Sequence, residues 1–343
     1  MTPTSQTQPP IHTDLHVHLG GAVPASVLWE ILCNQGLSSP YHSFPEFQDA
    51  LTAKPEEIKS LDDFLGSYFH LTETIQSSPE AIATSAYQAV AKAFRRGNVT
   101  HMELRFNPAK RLRGNLHSID AILLAVLQGL ERASAHYNVT TAAILSLGRD
   151  LPQSTNRKIV EAAIRWKSYP RHKAAGIVAI DMAGPESTQM ERDPAWMRET
   201  LELFRLAQEA GLKTTYHIGE TDASGWIDTE RILNQLRPDR IGHGIQIRKA
   251  PPKKKAELLE ILRDTQTCLE ICPTVNQLCR SAKIPELQEF CSDLFAAQVP
   301  FSICTDNPYL AHTNIQSELE KGCVSNEIKS WAVDSGTKYR FGI

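Results

Sequence analysis

The sequence lacks any long apolar run. No stretch approaches the roughly 18 consecutive apolar residues that a membrane-spanning helix needs. It also lacks an excess of basic residues, because 36 Lys and Arg stand against 39 Asp and Glu. Nucleic acids and anionic membranes require a basic face, so neither is expected as a partner. Residues 1–10, MTPTSQTQPP, have neither the positive nor the apolar region of a signal peptide, and we expect them to form a flexible tail.

The cysteines lack the spacing of a zinc knuckle. There are seven of them, and no two are arranged as C-x-x-C, although four fall between positions 268 and 291. An odd number of scattered cysteines in a chain of this size is typical of reduced thiols in a core rather than of disulfides. The sequence therefore predicts a cytoplasmic protein.

What the sequence does contain is a regular alternation of short apolar runs and longer segments of helical period. The predicted strands are 11–18, 99–107, 140–148, 175–184, 213–220, 239–244, 267–274 and 299–306. Between them, 78–97, 118–137 and 194–211 carry apolar residues three and four positions apart, as helices do. Eight strands, each followed by helical sequence, predict a (β/α)8 TIM barrel.

The long interval after the first strand has its own helical sequence. Residues 22–98 exceed one ordinary connection, so we predict a helical cap inserted there, within a single barrel domain spanning 11–343. A doubly wound sheet would show the same alternation, but it normally carries a G-x-G-x-x-G turn, and LGGAVP lacks that spacing. The chain stops soon after the last predicted helix. We therefore expect fewer residues to cover the bottom of the barrel, where the strands begin.

Histidine and aspartate recur at the ends of the predicted strands. His16 and His18 are two positions apart in a strand, which points both side chains to one face. His217, His243 and Asp306 end the fifth, sixth and eighth strands. Because the carboxyl ends of barrel strands form the catalytic rim, we expect these side chains to converge. Such ligands suit Zn²⁺ or another divalent first-row ion, although buried, hydrogen-bonded histidines are the alternative for each residue alone.

Two further positions suggest acid–base chemistry at the same rim. Glu220 follows His217 by three residues, so its carboxylate would overhang the metal site and exchange protons with a substrate. The alternative for Glu220 is a carboxylate that stabilises a helix N-terminus. His243 lies between glycines and would either bind the metal or orient a water. Metal, acid and water-orienting histidine together predict hydrolytic attack on an electrophilic carbon.

One apparent motif is incomplete. His101 and Glu103, in HME, match half of the signature of cytidine-type zinc deaminases, but no P-C-x-x-C completes it. We therefore predict that both are strand-two residues that serve packing or salt bridges.

Seven short motifs occur in a characteristic order: DLHVHLGGA, ELRFNP, DMAGPE, HIGE, RIGHG, CPTVN and CTDNP. Together they resemble the adenosine deaminase family of the metal-dependent amidohydrolase superfamily, from about residue 11 nearly to the end of the chain. The resemblance implies a barrel that hydrolytically deaminates a 6-aminopurine, giving the 6-oxopurine and ammonia. It also implies one Zn²⁺ per chain and a small-molecule purine as partner.

The resemblance implies a role for each matching residue. The implied zinc ligands are His16, His18, His217 and Asp306. Glu220 matches the acid that protonates purine N1, and His243 matches the residue that orients the attacking hydroxide and stabilises the developing charge. Gly184 matches a backbone N–H donor to purine N3. Asp306 is thereby also placed among the catalytic groups, and His18 beside the substrate.

Two positions depart from the family's pattern. Gly20 stands where many members have an Asp that reaches the ribose 5′ hydroxyl, and we expect the glycine to leave room for a larger 5′ group. Asn307 stands where many members have a second Asp that hydrogen-bonds purine N7. Its NH₂ group is a donor at every pH, so Asn307 is compatible with a purine.

The predicted function is zinc-dependent deamination of adenosine or a related 6-aminopurine. Gly20 favours an alternative substrate for the same chemistry, namely adenine or a 5′-modified adenosine derivative. A catalytically silent metal- or purine-binding protein is the alternative from another class, but it would be expected to have lost the acid or a ligand. A two-metal amidohydrolase would need a bridging lysine at the end of strand four, where this chain has DMAG.

Overall fold

The computed structural model describes residues 11–112, 118–167, 169 and 174–342. Its centre is an eight-stranded parallel sheet whose strands follow one another in chain order. The strands are β1 (His12–His18), β2 (Val99–Phe106), β3 (Thr140–Gly148), β4 (Ala174–Ala183), β5 (Lys213–Ile218), β6 (Arg240–His243), β7 (Cys268–Ile271) and β8 (Phe301–Ile303). The sheet closes because Asp306 N–H donates to the His16 carbonyl, and His18 N–H to the Asp306 carbonyl, both at 2.8 Å. The predicted (β/α)8 barrel is confirmed.

Helices surround the barrel and alternate with its strands. They are α1 (Ala25–Asn34), α2 (Phe44–Leu51), α3 (Leu61–Phe64), α4 (His70–Ile75), α5 (Pro79–Gly97), α6 (Ile119–Tyr137), α7 (Gln153–Trp166), α8 (Pro194–Glu209), α9 (Gly225–Gln235), α10 (Pro252–Thr265), α11 (Pro273–Leu278), α12 (Ile284–Ala296), α13 (Ile315–Gly322) and α14 (Asn326–Lys338). Their ends follow from local sequence. Ser78 accepts the Ala81 N–H at the start of α5, and Asn98 ends that helix in the left-handed conformation.

Among the described residues, none of the helices is both long and apolar enough to cross a membrane.

Helices α1 to α4 form an insertion between β1 and the barrel helix α5. The run from α3 to α4 lines the cavity at the carboxyl ends of the strands, and its middle, Leu65–Phe69, is a π-helical turn of the kind often found at functional sites. Arg280 ties the insertion to the barrel by donating to the carbonyls of Ile58 and Pro55 at 2.6 and 3.1 Å. The division of the chain into a tail, a barrel and a cap stays a prediction, and the tail at 1–10 lies outside the described residues.

The amino-terminal end of the barrel is closed by the last described residues. Phe341 is buried, its N–H donates to Glu103 Oε1 at 2.6 Å, and the Arg240 guanidinium lies 3.6 Å from the centre of its ring. The last described residues therefore contribute cover at this face, and less cover than in relatives stays a prediction. Arg240 donates to Glu103 Oε2 at 2.5 Å, and His101 Nε2 lies 3.2 Å from Glu103 Oε1. His101 and Glu103 thus belong to a salt-bridge network in β2, as the sequence predicts.

Candidate active site

The side chains predicted to converge do meet at the carboxyl ends of the strands. His16 and His18 come from β1, His217 from β5, His243 from the end of β6, and Asp306 from the turn after β8. The Nε2 atoms of His18 and His217 are 3.1 Å apart. Asp306 Oδ1 lies 3.6 Å from His18 Nε2 and 3.8 Å from His16 Nε2. The structure therefore brings the predicted ligand atoms into one cluster.

The spacing and chemistry of this cluster fit a metal ion. Ligands at about 2.0–2.2 Å from a tetrahedral zinc ion lie about 3.3 Å from one another, close to the separations above. His16 Nε2 is buried and has no hydrogen-bond partner among the described residues. A buried polar nitrogen without a partner costs free energy, and a bound cation would remove that cost.

The geometry permits more than one grouping of ligands. The donor atoms of His16, His217 and His243 lie within 4.8 Å of one another, and so do those of His16, Cys272 and Asp306. Cys272 is fully buried, as expected of a core thiol. Burial raises the pKa of its thiol well above the ordinary value, which disfavours the thiolate that a metal would bind.

The rings of His16 and His217 are each held from behind by a carboxylate. His16 Nδ1 lies 2.7 Å from Glu270 Oε2, and His217 Nδ1 lies 2.9 Å from Asp181 Oδ1. A carboxylate in this position accepts a hydrogen bond from Nδ1–H. This bond fixes the tautomer of the ring and leaves the Nε2 lone pair free for a metal. Arg105 is buried between the two acids and lies 2.8 Å from Glu270 Oε2 and 3.5 Å from Asp181 Oδ2.

The charges around Asp181 favour its ionised form. Burial alone would raise the pKa of Asp181, but the His217 ring and the Arg105 guanidinium hold it well below its ordinary value. Asp181, Glu270 and Arg105 were not predicted from the sequence. The available signal was an ionisable residue inside each of three apolar strands, because such residues are rarely buried without a partner.

Glu220 is placed to deliver a proton to a ligand in the cavity. Its side chain is 4% exposed, and Oε2 lies 3.5 Å from His243 Nε2. The loop that carries it is fixed by Glu186, which accepts the backbone N–H groups of Glu220 and Thr221 at 3.1 and 2.7 Å. Burial, and then the charge of Glu186, raise the pKa of Glu220 well above its ordinary value. A raised pKa favours the protonated carboxyl, the form in which a general acid acts.

His243 and Asp306 are both held in the left-handed backbone region, at φ 66° and 60°. Non-glycine residues in this region are uncommon, and they cluster where the fold aims a side chain for function. His243 Nδ1 lies 3.1 Å from Asn276 Nδ2, and burial lowers the pKa of the ring well below its ordinary value. The neutral ring with Nδ1 as acceptor would therefore present an N–H at Nε2 to the cavity.

A cavity of about 630 Å³ opens above the cluster, within the range of small-molecule sites. The predicted substrate-binding residues Gly184, Asn307 and His18 all line it, together with Glu220 and His243. The insertion contributes an apolar wall formed by Leu61, Phe64, Leu65 and Phe69.

Gly184 and Asn307 are the two predicted purine contacts. Gly184 has φ 99°, which strains any other residue, and its carbonyl accepts from Arg149 Nη1 at 3.0 Å. Asn307 Nδ2 donates to Asp306 Oδ1 at 2.6 Å, while its Oδ1 is buried without a partner in the described part of the chain. Asn307 packs against Gly21, where a side chain would collide with it.

The expectation that Gly20 leaves room for a larger substrate group is wrong. A Cβ atom at Gly20 would lie 2.7 Å from Cζ of Phe69 and 3.1 Å from Oγ1 of Thr72. The insertion fills the space with its own side chains, and Phe69 rather than Gly20 lines the cavity.

The Gly20→Asp variant is therefore expected to lose stability without gaining adenosine turnover. Forcing a side chain against Phe69 should lower the free energy of unfolding by about 1–3 kcal/mol, the usual cost of overpacking. Denaturant unfolding measures this, with Gly66→Ala as control, since a Cβ at Gly66 meets nothing within 4 Å. Increased adenosine turnover at unchanged stability would show instead that Phe69 yields to a carboxylate.

Comparison with known proteins gives one family. A family model described as adenosine deaminase matches residues 11–332. The adenosine deaminase of Vibrio vulnificus strain YJ016 is 28% identical over 309 residues, which cover 90% of this chain and 86% of that protein. The adenosine deaminase of Clostridium botulinum strain 657 is 27% identical, with the same coverage.

Solved structures of low sequence identity share the fold. A zinc-bound amidohydrolase from Burkholderia ambifaria has a TM-score of 0.78 at 18% identity, covering 99% of this chain and 90% of that one. The N6-mAMP deaminase of Arabidopsis has a TM-score of 0.75 at 21% identity, covering 96% and 92%. An adenine deaminase from Arthrobacter aurescens has a TM-score of 0.73 at 17% identity, covering 97% and 99%.

Proposed function

The chain belongs to the adenosine deaminase family and is a hydrolase acting on C–N bonds, and from this premise we propose that it is a zinc-dependent deaminase of adenosine. The proposed products are the 6-oxopurine nucleoside and ammonia. The observation that carries this proposal is the arrangement of Glu220, a buried acid of raised pKa, beside His243 and the ligand cluster in one cavity.

In the proposed site, a single Zn²⁺ would be held by His16, His18, His217 and Asp306. A bound divalent metal lowers the pKa of water toward neutrality and so supplies a nucleophile without a strong base. Glu270 behind His16 and Asp181 behind His217 would hold these two rings with Nε2 toward the ion.

The remaining steps belong to side chains of the chain itself. Glu220 would donate its proton to purine N1, which makes C6 more electrophilic. Neutral His243, with Asn276 at its Nδ1, would orient the attacking oxygen through Nε2 and stabilise the charge that develops. A C6–O bond forms and the C6–N bond breaks; of the two protons of the attacking water, one would pass to the amino group, which leaves as ammonia, and the other would restore the Glu220 carboxyl.

Purine recognition would fall to Gly184 and Asn307. The Gly184 backbone N–H would donate to N3, and the second hydrogen of the Asn307 NH₂ group would donate to N7. An amide donates at every pH, whereas a carboxyl in the same place must first be protonated. His18 lines the cavity beside them and would contact the substrate as well.

The size of the cavity bears on the substrate. A free base would leave much of about 630 Å³ unfilled, whereas a nucleoside reaches from the cluster toward the insertion. We therefore rank adenosine ahead of adenine, with 5′-modified adenosine as the other candidate. A silent binding protein is disfavoured because both the acid and the ligands are in place. All seven cysteines are free thiols, which supports the cytoplasm as the proposed location.

The test is ammonia release by the zinc-loaded protein with adenosine, 2′-deoxyadenosine, adenine, AMP, 5′-methylthioadenosine and cytidine. We expect turnover of adenosine and 2′-deoxyadenosine and none of cytidine, which lacks the atoms that Gly184 and Asn307 would contact. Turnover of adenine or a 5′-modified compound alone would keep the chemistry and change the substrate. No turnover of any compound by protein that holds zinc would contradict deamination.

A further inference from the structure

Glu73, on α4 of the insertion, is a buried acid that the proposed mechanism does not use. It is 6% exposed and lines the cavity together with the predicted substrate-binding residues. Within the described residues it makes no hydrogen bond, and its ion pair is with Arg111, whose Nη2 lies 3.8 Å from Glu73 Oε1. A buried carboxylate is costly unless its oxygens find donors, and the open side of Glu73 is the cavity.

The position of Glu73 relates it to the departure at Gly20. Phe69 lies four positions before Glu73 on the same helical run, so the two side chains share one face. Phe69 fills the space above Gly20, where other members of the family are expected to hold a carboxylate. Glu73 brings a carboxylate to the same cavity from the insertion, one turn farther along.

Arg111 is the ion-pair partner of Glu73 within the described residues. It is fully buried, and its Nη1 donates to Gln76 Oε1 at 2.7 Å. Burial raises the pKa of Glu73, while the Arg111 guanidinium opposes that rise. Arg111 thus places a positive charge behind Glu73 before any ligand binds, and the burial of Glu73 on α4 limits the freedom that its side chain would lose on binding.

Resting on the proposed function, we propose that Glu73 recognises the sugar of the substrate by accepting hydrogen bonds from nucleoside hydroxyl groups. It would replace the carboxylate that position 20 does not supply.

The other charges at the cavity bear on the 5′ group of the substrate. Asp62 and Asp150 also line the cavity, and Lys110 is already paired with Asp150 at 2.7 Å. A phosphate placed among these acids would be repelled, and the lysine that lines the cavity in the described part of the chain is the paired Lys110. We therefore expect the site to bind nucleosides and to exclude nucleoside monophosphates.

The experiment compares kcat/KM for adenosine, adenine and AMP in the wild type and in Glu73→Gln. Loss of a charge-assisted hydrogen bond should lower the adenosine value about tenfold or more and leave adenine unchanged. The ratio of AMP to adenosine should rise, because one repelling charge is removed. Glu56→Gln is the matched control, since Glu56 is an exposed carboxylate of the same insertion.

Binding of the products gives a readout that does not depend on turnover. The affinity for inosine should fall about tenfold in Glu73→Gln, while that for hypoxanthine stays the same. Glu73→Asp keeps the charge beside Arg111 but withdraws the carboxylate by one methylene, so it should show the same trend if the glutamine variant fails to fold.

The outcomes separate this inference from the proposed function. Equal losses for adenosine and adenine would overturn the sugar contact and leave Glu73 as the counter-ion of Arg111. A wild-type preference for AMP over adenosine would also overturn it. Failure of the wild type to deaminate any purine contradicts the proposed function instead.

Discussion

Replacing Glu220 with Gln is expected to lower kcat at least about 100-fold while bound zinc stays in place. Glutamine keeps the size of the side chain and its contact with His243, but it has no acidic proton to give to purine N1. Burial and the charge of Glu186 raise the pKa of Glu220 well above its ordinary value, which favours the protonated carboxyl that a proton donor needs. The measurements are steady-state kinetics on adenosine and zinc per chain by elemental analysis.

The control for this prediction is Glu209→Gln, an exposed carboxylate on α8 that is paired only with Arg205 in the described structure. It should leave kcat and zinc content unchanged. Near-normal turnover in Glu220→Gln would refute the role of Glu220 as the acid. A fall in zinc content would assign Glu220 to the ligands instead, because its carboxylate also groups with His243 and Asp306.

The strands and the cluster of histidines with Asp306 were predictable from the sequence because both follow from local pattern. Apolar runs and helical periods located each of the eight strands, and the polar residues at their carboxyl ends had to meet once the sheet closed. Strands β7 and β8 are shorter than predicted, because both stop before the predicted carboxyl end. Pro273 begins a helix directly after β7, and the chain after β8 turns into the site to place Asp306.

The layer behind the ligands was not predictable, because it depends on register between strands. Asp181 pairs with Thr215 across β4 and β5, which puts it beside His217 two residues farther along. No pattern within either strand encodes that neighbour. The same is true of Gly20, where the sequence shows a missing carboxylate but not that Phe69, from a distant helix, fills the space.

The second large effect is expected for His16→Ala, which should lower zinc affinity by at least about 100-fold and abolish deamination. The loss should be large because the variant removes a proposed ligand itself, and not only a side chain that holds a ligand in place. His16 is the fully buried ring whose Nε2 lacks a partner among the described residues. Elemental analysis after dialysis against a weak chelator measures the loss. His42→Ala, at an exposed histidine of the insertion, should keep full occupancy.

Comparison with Glu270→Gln separates a ligand from its support. Glutamine can still accept the His16 Nδ1–H but carries no charge, so zinc affinity should fall only about 10–100-fold. Full occupancy in His16→Ala would remove His16 from the ligands.

Two further variants show whether His18 or His243 completes the set of zinc ligands. Both are candidates, because His16 and His217 group with His243 and also lie beside His18. Zinc loss in His18→Ala but not in His243→Ala supports the proposed set, and the reverse result would make His243 a ligand and require another group to orient the nucleophile.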